Sequence, residues 1–286
     1  MSDTNKKVRI IVESSSDIKP ELESKVVMLP MTITFGEESF KDRVEINHKT
    51  FYEKLVESDT LPTTSQIMPF DFSEAFKEAH KAGESVVVIT ISSKLSGTYQ
   101  SACIAASETD AEVYVVDSRS AAIGGGILAE YAVSLKEEGK SAKEIADALE
   151  KVKGRVKVIA MVNTLEYLKK GGRISAAVAF AGELMSIKPV VAIDDGEVQM
   201  RGKARGSRQA NNLLVKEIEN SGGVDFNLPV LLGYTGLSAD LLKKYIEDSA
   251  SLWKDSKDEL QYVCIGSIVG THVGPGAVAV AYFCNE

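Results

Sequence analysis

No stretch of this sequence approaches the roughly 20 consecutive apolar residues that a membrane-spanning helix needs. The N-terminus, Met1 to Arg9, is polar and has no signal-peptide core. Cysteine is scarce. Cys103, Cys264 and Cys284 form no CxxC pair, which argues against a disulfide framework or a zinc site and for a reducing compartment. Positive charge is also short, with 33 Lys+Arg against 41 Asp+Glu and a formal net charge of -8. That balance excludes broad nucleic-acid binding, which rests on neutralising phosphates. There is no GxGxxG fingerprint, no P-loop and no GxSxG elbow. The expectation is a cytoplasmic chain without a cofactor, a resident metal or a nucleic-acid partner, whose contact with any membrane would be peripheral.

What is present is ordinary globular material, 44% hydrophobic and 26% charged, in a length that suits two modest domains. Val8–Glu13 and Ser85–Ile91 are continuous β-branched runs, and Glu112–Val116 repeats the pattern; such runs suit parallel strands covered on both faces. Met28–Phe35 is a further apolar stretch. Helical patterns cover His48–Ser58, Asp71–Lys81, Thr98–Glu108, Ala121–Glu138 and Ser141–Val152, the last with Ser141 as N-cap. This alternation predicts a parallel α/β sheet, with the loops at Ser14, Ser92 and Asp117 gathered at its carboxyl edge, where such sheets bind ligands.

The texture changes after Gly154. A strand at Val156–Val162, a short helix at Thr164–Lys170 stopped by Gly171-Gly172, and a hairpin around Asp194-Asp195-Gly196 are expected. A strand at Val230–Gly233, a helix at Ser238–Trp253 and strands near Gln261–Ile265 and Ala277–Phe283 follow. The fold class is therefore α/β in two domains, an N-terminal parallel-sheet domain over 1–160 and a C-terminal α+β domain over 161–286.

Five segments carry candidate chemistry. Thr63-Thr64-Ser65-Gln66 reads first as a solvated loop. In Ser92–Thr98, between a buried strand and a helix, Gly97 lets the backbone approach an anion, and Ser96 either donates a hydroxyl or caps the helix. Gly270–Gly276 reads as a tight loop holding His272 near a ligand head group, while His48 and His80 read as surface residues. Arg201, Lys203, Arg205 and Arg208, joined by Arg173, form either a solvated turn or a site for phosphate or an acidic partner. Ile174–Ile187 is apolar nearly all round, as core or as the lining of an acyl tunnel, with room left at Ala176, Ala177, Ala179, Ala181 and Gly182.

Taken in order, Thr64–Gln66, Ser93–Ala102, Asp117-Ser118, Leu165–Ile174, Gly202–Gly206 and Gly270–Gly276 resemble the DegV family, across nearly the whole chain. In this chain Gln66 is followed by Ile67-Met68-Pro69, where many members place proline directly after the glutamine. The resemblance implies a long-chain fatty acid in a tunnel between the two domains. It also implies a separate fatty acid kinase catalytic subunit that uses ATP to convert the bound acid to acyl-phosphate. By motif, Thr64 and Ser96 match the hydroxyls that hold the carboxylate, His272 the histidine near the head group, and Arg173 and Arg205 basic positions tied to phosphotransfer or partner docking. Two other readings compete. One is a serine esterase-like hydrolase using Ser93 or Ser96, His272 and Asp117. The other is a nucleotide- or sugar-phosphate-binding protein using the loop at Gly97.

Overall fold

The computed structural model describes residues 7–175, 187–256 and 259–286. The chain opens with β1 (Val8–Glu13), β2 (Val27–Leu29), β3 (Thr32–Phe35) and β4 (Glu38–Lys41), then α1 (His48–Glu57), β5 (Thr63–Ser65) and α2 (Pro69–Lys81). It continues with β6 (Ser85–Thr90), α3 (Thr98–Ser107), β7 (Val113–Asp117), α4 (Ile123–Glu137) and α5 (Ala142–Val152). Next come β8 (Val156–Met161), α6 (Glu166–Lys170), β9 (Ile187–Asp194), β10 (Glu197–Arg205) and α7 (Gly206–Asn220). The last elements are β11 (Leu231–Tyr234), α8 (Asp240–Asp248), β12 (Tyr262–Cys264), α9 (Ser267–Val273) and β13 (Val278–Phe283).

Three sheets result. The first is parallel throughout, in the order β2-β1-β6-β7. All six residues of β6 are buried, as expected where both faces are covered. The second is mixed, in the order β10-β9-β8-β13-β11-β12, and the third is a small antiparallel sheet, β4-β3-β5. The α/β class with a parallel sheet and further sheets is as the sequence predicted.

Helix α4 lies between the two larger sheets. Ile123, Ile127, Leu128 and Ala132 are fully buried in one core with Ile10 and Val12 of β1, Ile89 of β6 and Val158, Ala281 and Phe283 of the mixed sheet. Its glycines permit this. A Cβ on Gly126 would lie 2.1 Å from the Asp17 carbonyl oxygen, and one on Gly124 would lie 2.0 Å from Ser120 Oγ. On the outer face of the parallel sheet, Phe72, Phe76, Ala102 and Ala105 of α2 and α3 pack on Val86 and Val88. On the far face of the mixed sheet, Ala210, Leu214 and Ile218 of α7 pack with Ile159, Met161 and Val280. The order is therefore helices, parallel sheet, α4 and α5, mixed sheet, helices.

Local signals explain many boundaries. Ser141 accepts from Glu144 N while the Glu144 carboxylate bonds back to Ser141 N, a reciprocal cap that starts α5. Asp195 and Gly196 both take positive φ, the geometry of a two-residue hairpin turn between β9 and β10. Elsewhere the expectations need correction. Met28–Phe35 is split at Pro30 into β2 and β3, which join different sheets. The helix read over Ser238–Trp253 is confined to α8, although Trp253 is buried and donates to Ser249 Oγ. Helix α7 was not anticipated. Most of Ile174–Ile187, including the small residues read as tunnel lining, lies outside the described residues.

Candidate functional site

The carboxyl edge of the parallel sheet gathers its loops as expected. Ile91 N donates to Glu13 Oε1, Ser92 N to Ser120 O, and Asp17 N to Ala122 O, so the loops after β1, β6 and β7 are tied to one another. The β9–β10 turn docks on the same edge: Ser92 Oγ donates to Gly196 O, and Lys94 and Arg119 pair with Asp195.

Between this edge and the mixed sheet lies a cavity of about 220 Å³. On the mixed-sheet side its wall includes Val158, Ala160 and Val162, every second residue along β8. The residues between them, Ile159 and Met161, face α7. Ala160 is half-buried on a central strand because its free surface faces this space. The remaining wall comes from Met31, Ile91, Ala121 and Ala122 on one side and from α9 on the other. The four steps from Val158 to Val162, just past the end of β8, span roughly 13 Å at 3.3 Å per residue. One end lies near Leu168 and Ile174, packed with Val162, and the other near α4, packed with Val158.

Polar lining residues meet at the Val162 end. Thr64 of β5 and His272 of α9, 208 residues apart, are joined by a 2.9 Å bond between Oγ1 and Nε2. Ser96 lines the same space, with its Oγ 3.0 Å from Thr98 Oγ1 and accepting from Thr98 N at 3.3 Å. The N-cap of α3 is Gly97, so Ser96 lines the cavity from one residue outside the helix and does not cap it. Gly97 leaves room for the Gln66 amide: an added Cβ would lie 2.0 Å from Gln66 Oε1, at the end of a side chain that would have to swing away. Gln66 also lines the cavity, held by a bond from its Nε2 to Ser101 Oγ. Its place in the Thr63–Gln66 cluster and in the Thr64–Gln66 motif signalled the segment, without a role for the amide itself.

Arg173 closes this end. Its Nε donates to Leu95 O and its Nη1 to Gly171 O, pinning the Ser92–Gly97 loop to the end of α6. Gly171 leaves the space that His272 fills; a Cβ there would lie 2.2 Å from His272 Nδ1. Burial, aided by the Arg173 charge, pushes the His272 imidazole down to about 4, so the ring is neutral at pH 7.

Thr64, Ser96, Gly97, Arg173 and His272 thus share one cavity wall, and Arg205 is not part of it. Arg205 is exposed at the end of β10, on the cavity side of the sheet because of a bulge. Met200 pairs with Val191 and Gly202 with Val190, so the extra residue Arg201 reverses the alternation. Before it, Val198 and Met200 face the cavity side; after it, Gly202 and Ala204 face α7, and Lys203 and Arg205 take the cavity side. The basic cluster is therefore strand and helix start, with Arg201 paired to Asp194, rather than a solvated turn.

Three further expectations change. Thr63–Ser65 is a strand paired with β3, not a solvated loop. His272 sits in the last turn of α9, not in a loop. His48 is partly buried, its Nε2 is enclosed, and burial with the Arg43 charge pushes it down to about 4, so it is no plain surface residue. The esterase arrangement is not assembled: Asp117 Oδ1 accepts from Ser93 N and Arg119 N, and His272 Nδ1 has no hydrogen bond.

Fold and site define an α/β protein with a mostly apolar cavity between its two larger sheets and, at one end, hydroxyls, an amide, a neutral imidazole and the Arg173 guanidinium. The family model described as an uncharacterised protein of the DegV family matches residues 7–285, and the chain belongs to that family. A DegV domain-containing protein of Caldanaerobacter subterraneus is 31% identical over 281 residues, covering 96% of this chain and 98% of its own. The solved structure of a DegV family protein from Thermus thermophilus, described by its fatty acid binding, is 31% identical with a TM-score of 0.86, covering 97% of this chain and 99% of its own. A stearic acid-binding protein from Eubacterium ventriosum superposes with a TM-score of 0.87 at 25% identity, covering 97% and 98%. Among the described residues no helix is long and apolar enough to cross a membrane, and no group of three or more His, Cys, Asp or Glu is placed to hold a metal.

Proposed function

We propose that this chain binds a long-chain fatty acid, its tail in the cavity along β8 and its carboxylate at Thr64, Ser96 and His272 beside the Gly97 backbone. It presents that carboxylate to a separate ATP-dependent kinase subunit, which forms the acyl-phosphate; the chain itself serves as the lipid-binding subunit. The observation that carries this reading is the shape and polarity of the cavity. An apolar cavity of about 150 Å³ holds one benzene ring, so 220 Å³ takes on the order of nine carbons of the tail. Burying about nine methylenes contributes on the order of 7 kcal/mol before the costs of ordering the tail.

The head group can then be held lightly. With its proton on Nε2, neutral His272 donates to Thr64 Oγ1, which frees the Thr64 hydroxyl hydrogen for the carboxylate. Ser96 supplies a second hydroxyl. Single donors of this kind leave a carboxylate lone pair to attack phosphorus, whereas a bidentate arginine would occupy both oxygens. Arg205, exposed on the same side of the sheet, is suited to an anionic partner or phosphate.

Native mass spectrometry of protein purified from a lipid-replete host tests the first claim: the expected mass includes one fatty acid. Empty protein throughout, with no uptake of added octadecanoate, refutes it. For the second claim, Arg205→Glu is expected to keep the lipid and lower its phosphorylation by a partner kinase more than tenfold; unchanged phosphorylation removes Arg205 from that role.

A further inference from the structure

Helix α9 carries His272, yet at seven residues it has few internal hydrogen bonds and no stability of its own. Its orientation depends on what holds it from outside. Ile265, Ile268, Val269, His272 and Val273 line the cavity at one-turn spacing, so a single stripe of this segment faces the ligand space. The opposite stripe is small and polar. Gly270 packs against Phe51 and Tyr52, where a Cβ would lie 2.5 Å from the Tyr52 hydroxyl oxygen. That hydroxyl donates to Ile265 O at 2.8 Å.

The start of α9 is held by a buried carboxylate from the other end of the chain. Asp17, 1% exposed, accepts at Oδ1 from Gly266 N at 2.8 Å and from Arg43 Nη2 at 2.8 Å. Its own N–H donates to the carbonyl of Ala122, another cavity-lining residue. One residue thus ties α9 to the entry of α4. Burial pushes the Asp17 carboxyl up to about 7, while the Arg43 charge and the Gly266 N–H pull it down. Without Asp17, both donors would be left enclosed without this acceptor. The lever is long: six residues separate Gly266 from His272, about 9 Å of helix, so a tilt of roughly 10° moves His272 by about 1.5 Å. That is enough to break a 2.9 Å bond.

We propose that Asp17, acting through Gly266 and the axis of α9, is a positioning residue that sets His272 against Thr64 and so confers preference for a carboxylate head group. This inference rests on the fatty-acid reading above. Its test separates head-group recognition from tail binding by titrating the full-length chain with octadecanoic acid and with octadecanol, which shares the tail and lacks the carboxylate. Wild type is expected to prefer the acid. In Asp17→Ala that preference should fall about five- to tenfold while affinity for the alcohol changes less than twofold. Asp17→Asn keeps an oxygen for the Gly266 N–H and should recover at least half of the preference. If Asp17→Ala does not fold, Gly266→Ala decides instead, since its Cβ would sit 3.0 Å from Asp17 Oδ1 and 3.1 Å from His48 Nε2 and disturb the same contact. An unchanged acid-to-alcohol ratio, or equal loss of both ligands, overturns the positioning role and leaves a purely structural one. A wild type that binds neither ligand defeats the fatty-acid reading, and this inference with it.

Discussion

Filling the cavity at its midpoint should shorten the tail it accepts without harming the fold. Ala160 sits between Val158 and Val162 on the cavity face of β8, paired with Val191 and Ala279. Ala160→Leu adds three carbons to this space, roughly a third of the nine or so carbon positions estimated above. A tail that passes this level loses contact for at least three methylenes, about 2.4 kcal/mol at 0.8 kcal/mol each, or roughly 60-fold in affinity. Octadecanoate should weaken by that factor or more. Hexanoate, whose extended chain covers about the two residues (roughly 6.6 Å) from Val162 to Ala160, should change less than about threefold. Leucine enters open space instead of displacing packed atoms, so the denaturation midpoint should hold or rise, whereas a filled core would lose about 1–3 kcal/mol. Competition binding over a series of chain lengths, with a parallel urea titration, reads both quantities. Equal weakening at every chain length, or a stability loss above 2 kcal/mol, would show that no open lumen lies at Ala160.

Two further outcomes follow from buried groups outside the cavity. Glu13 is enclosed, and desolvation raises its carboxyl from 4.5 to about 7 against the opposing bonds from Ser15 and Ile91 N. The folded state therefore holds this proton more tightly than the unfolded chain, and the stability Glu13 contributes is complete below about 4.5 and lost as pH rises to about 7. Urea titrations across that window should show a slope of about -1.4 kcal/mol per pH unit from this group, and Glu13→Gln should flatten it; an unchanged slope in the variant rejects the assignment. Gly126→Ala sets two effects against each other. Alanine gains roughly 1 kcal/mol of helix propensity in α4, but its Cβ would lie 2.1 Å from the Asp17 carbonyl oxygen, which is backbone and cannot swing away. Overpacking of about 1–3 kcal/mol or more should dominate, giving a net loss in thermal or urea melts, and a stabilised variant would refute this contact.

What the sequence settled alone is mostly local. β1 and β6 are legible because a strand covered on both faces carries a β-branched apolar run, Ile10–Val12 in one and Val86–Ile89 in the other. Ser141 with Glu144 announces the start of α5, and Asp195-Gly196 announces a hairpin, since each pattern satisfies a backbone need within a few residues. The site motifs were also legible, and Thr64, Ser96, Gly97, Arg173 and His272 do meet on one wall.

Other features were decided only by tertiary contacts. Thr63–Ser65 has no apolar alternation and becomes a strand because β3 offers it an edge. Gly270–Gly276 reads as loop through its glycines and proline, yet its first four residues end α9, whose start Asp17 and Tyr52 hold. In α7, Ala210, Leu214 and Ile218 are spaced four apart with Leu213 and Val215 beside them, an apolar stripe in the sequence that went unread and that the mixed sheet covers. The single bulge at Arg201 decides which side of the sheet Arg205 occupies, and no residue pattern in β10 marks it. The cavity belongs to this second group above all. A space between two sheets is a property of how far apart α4, α9 and the central strands hold them, and that distance is written in no single segment of the chain.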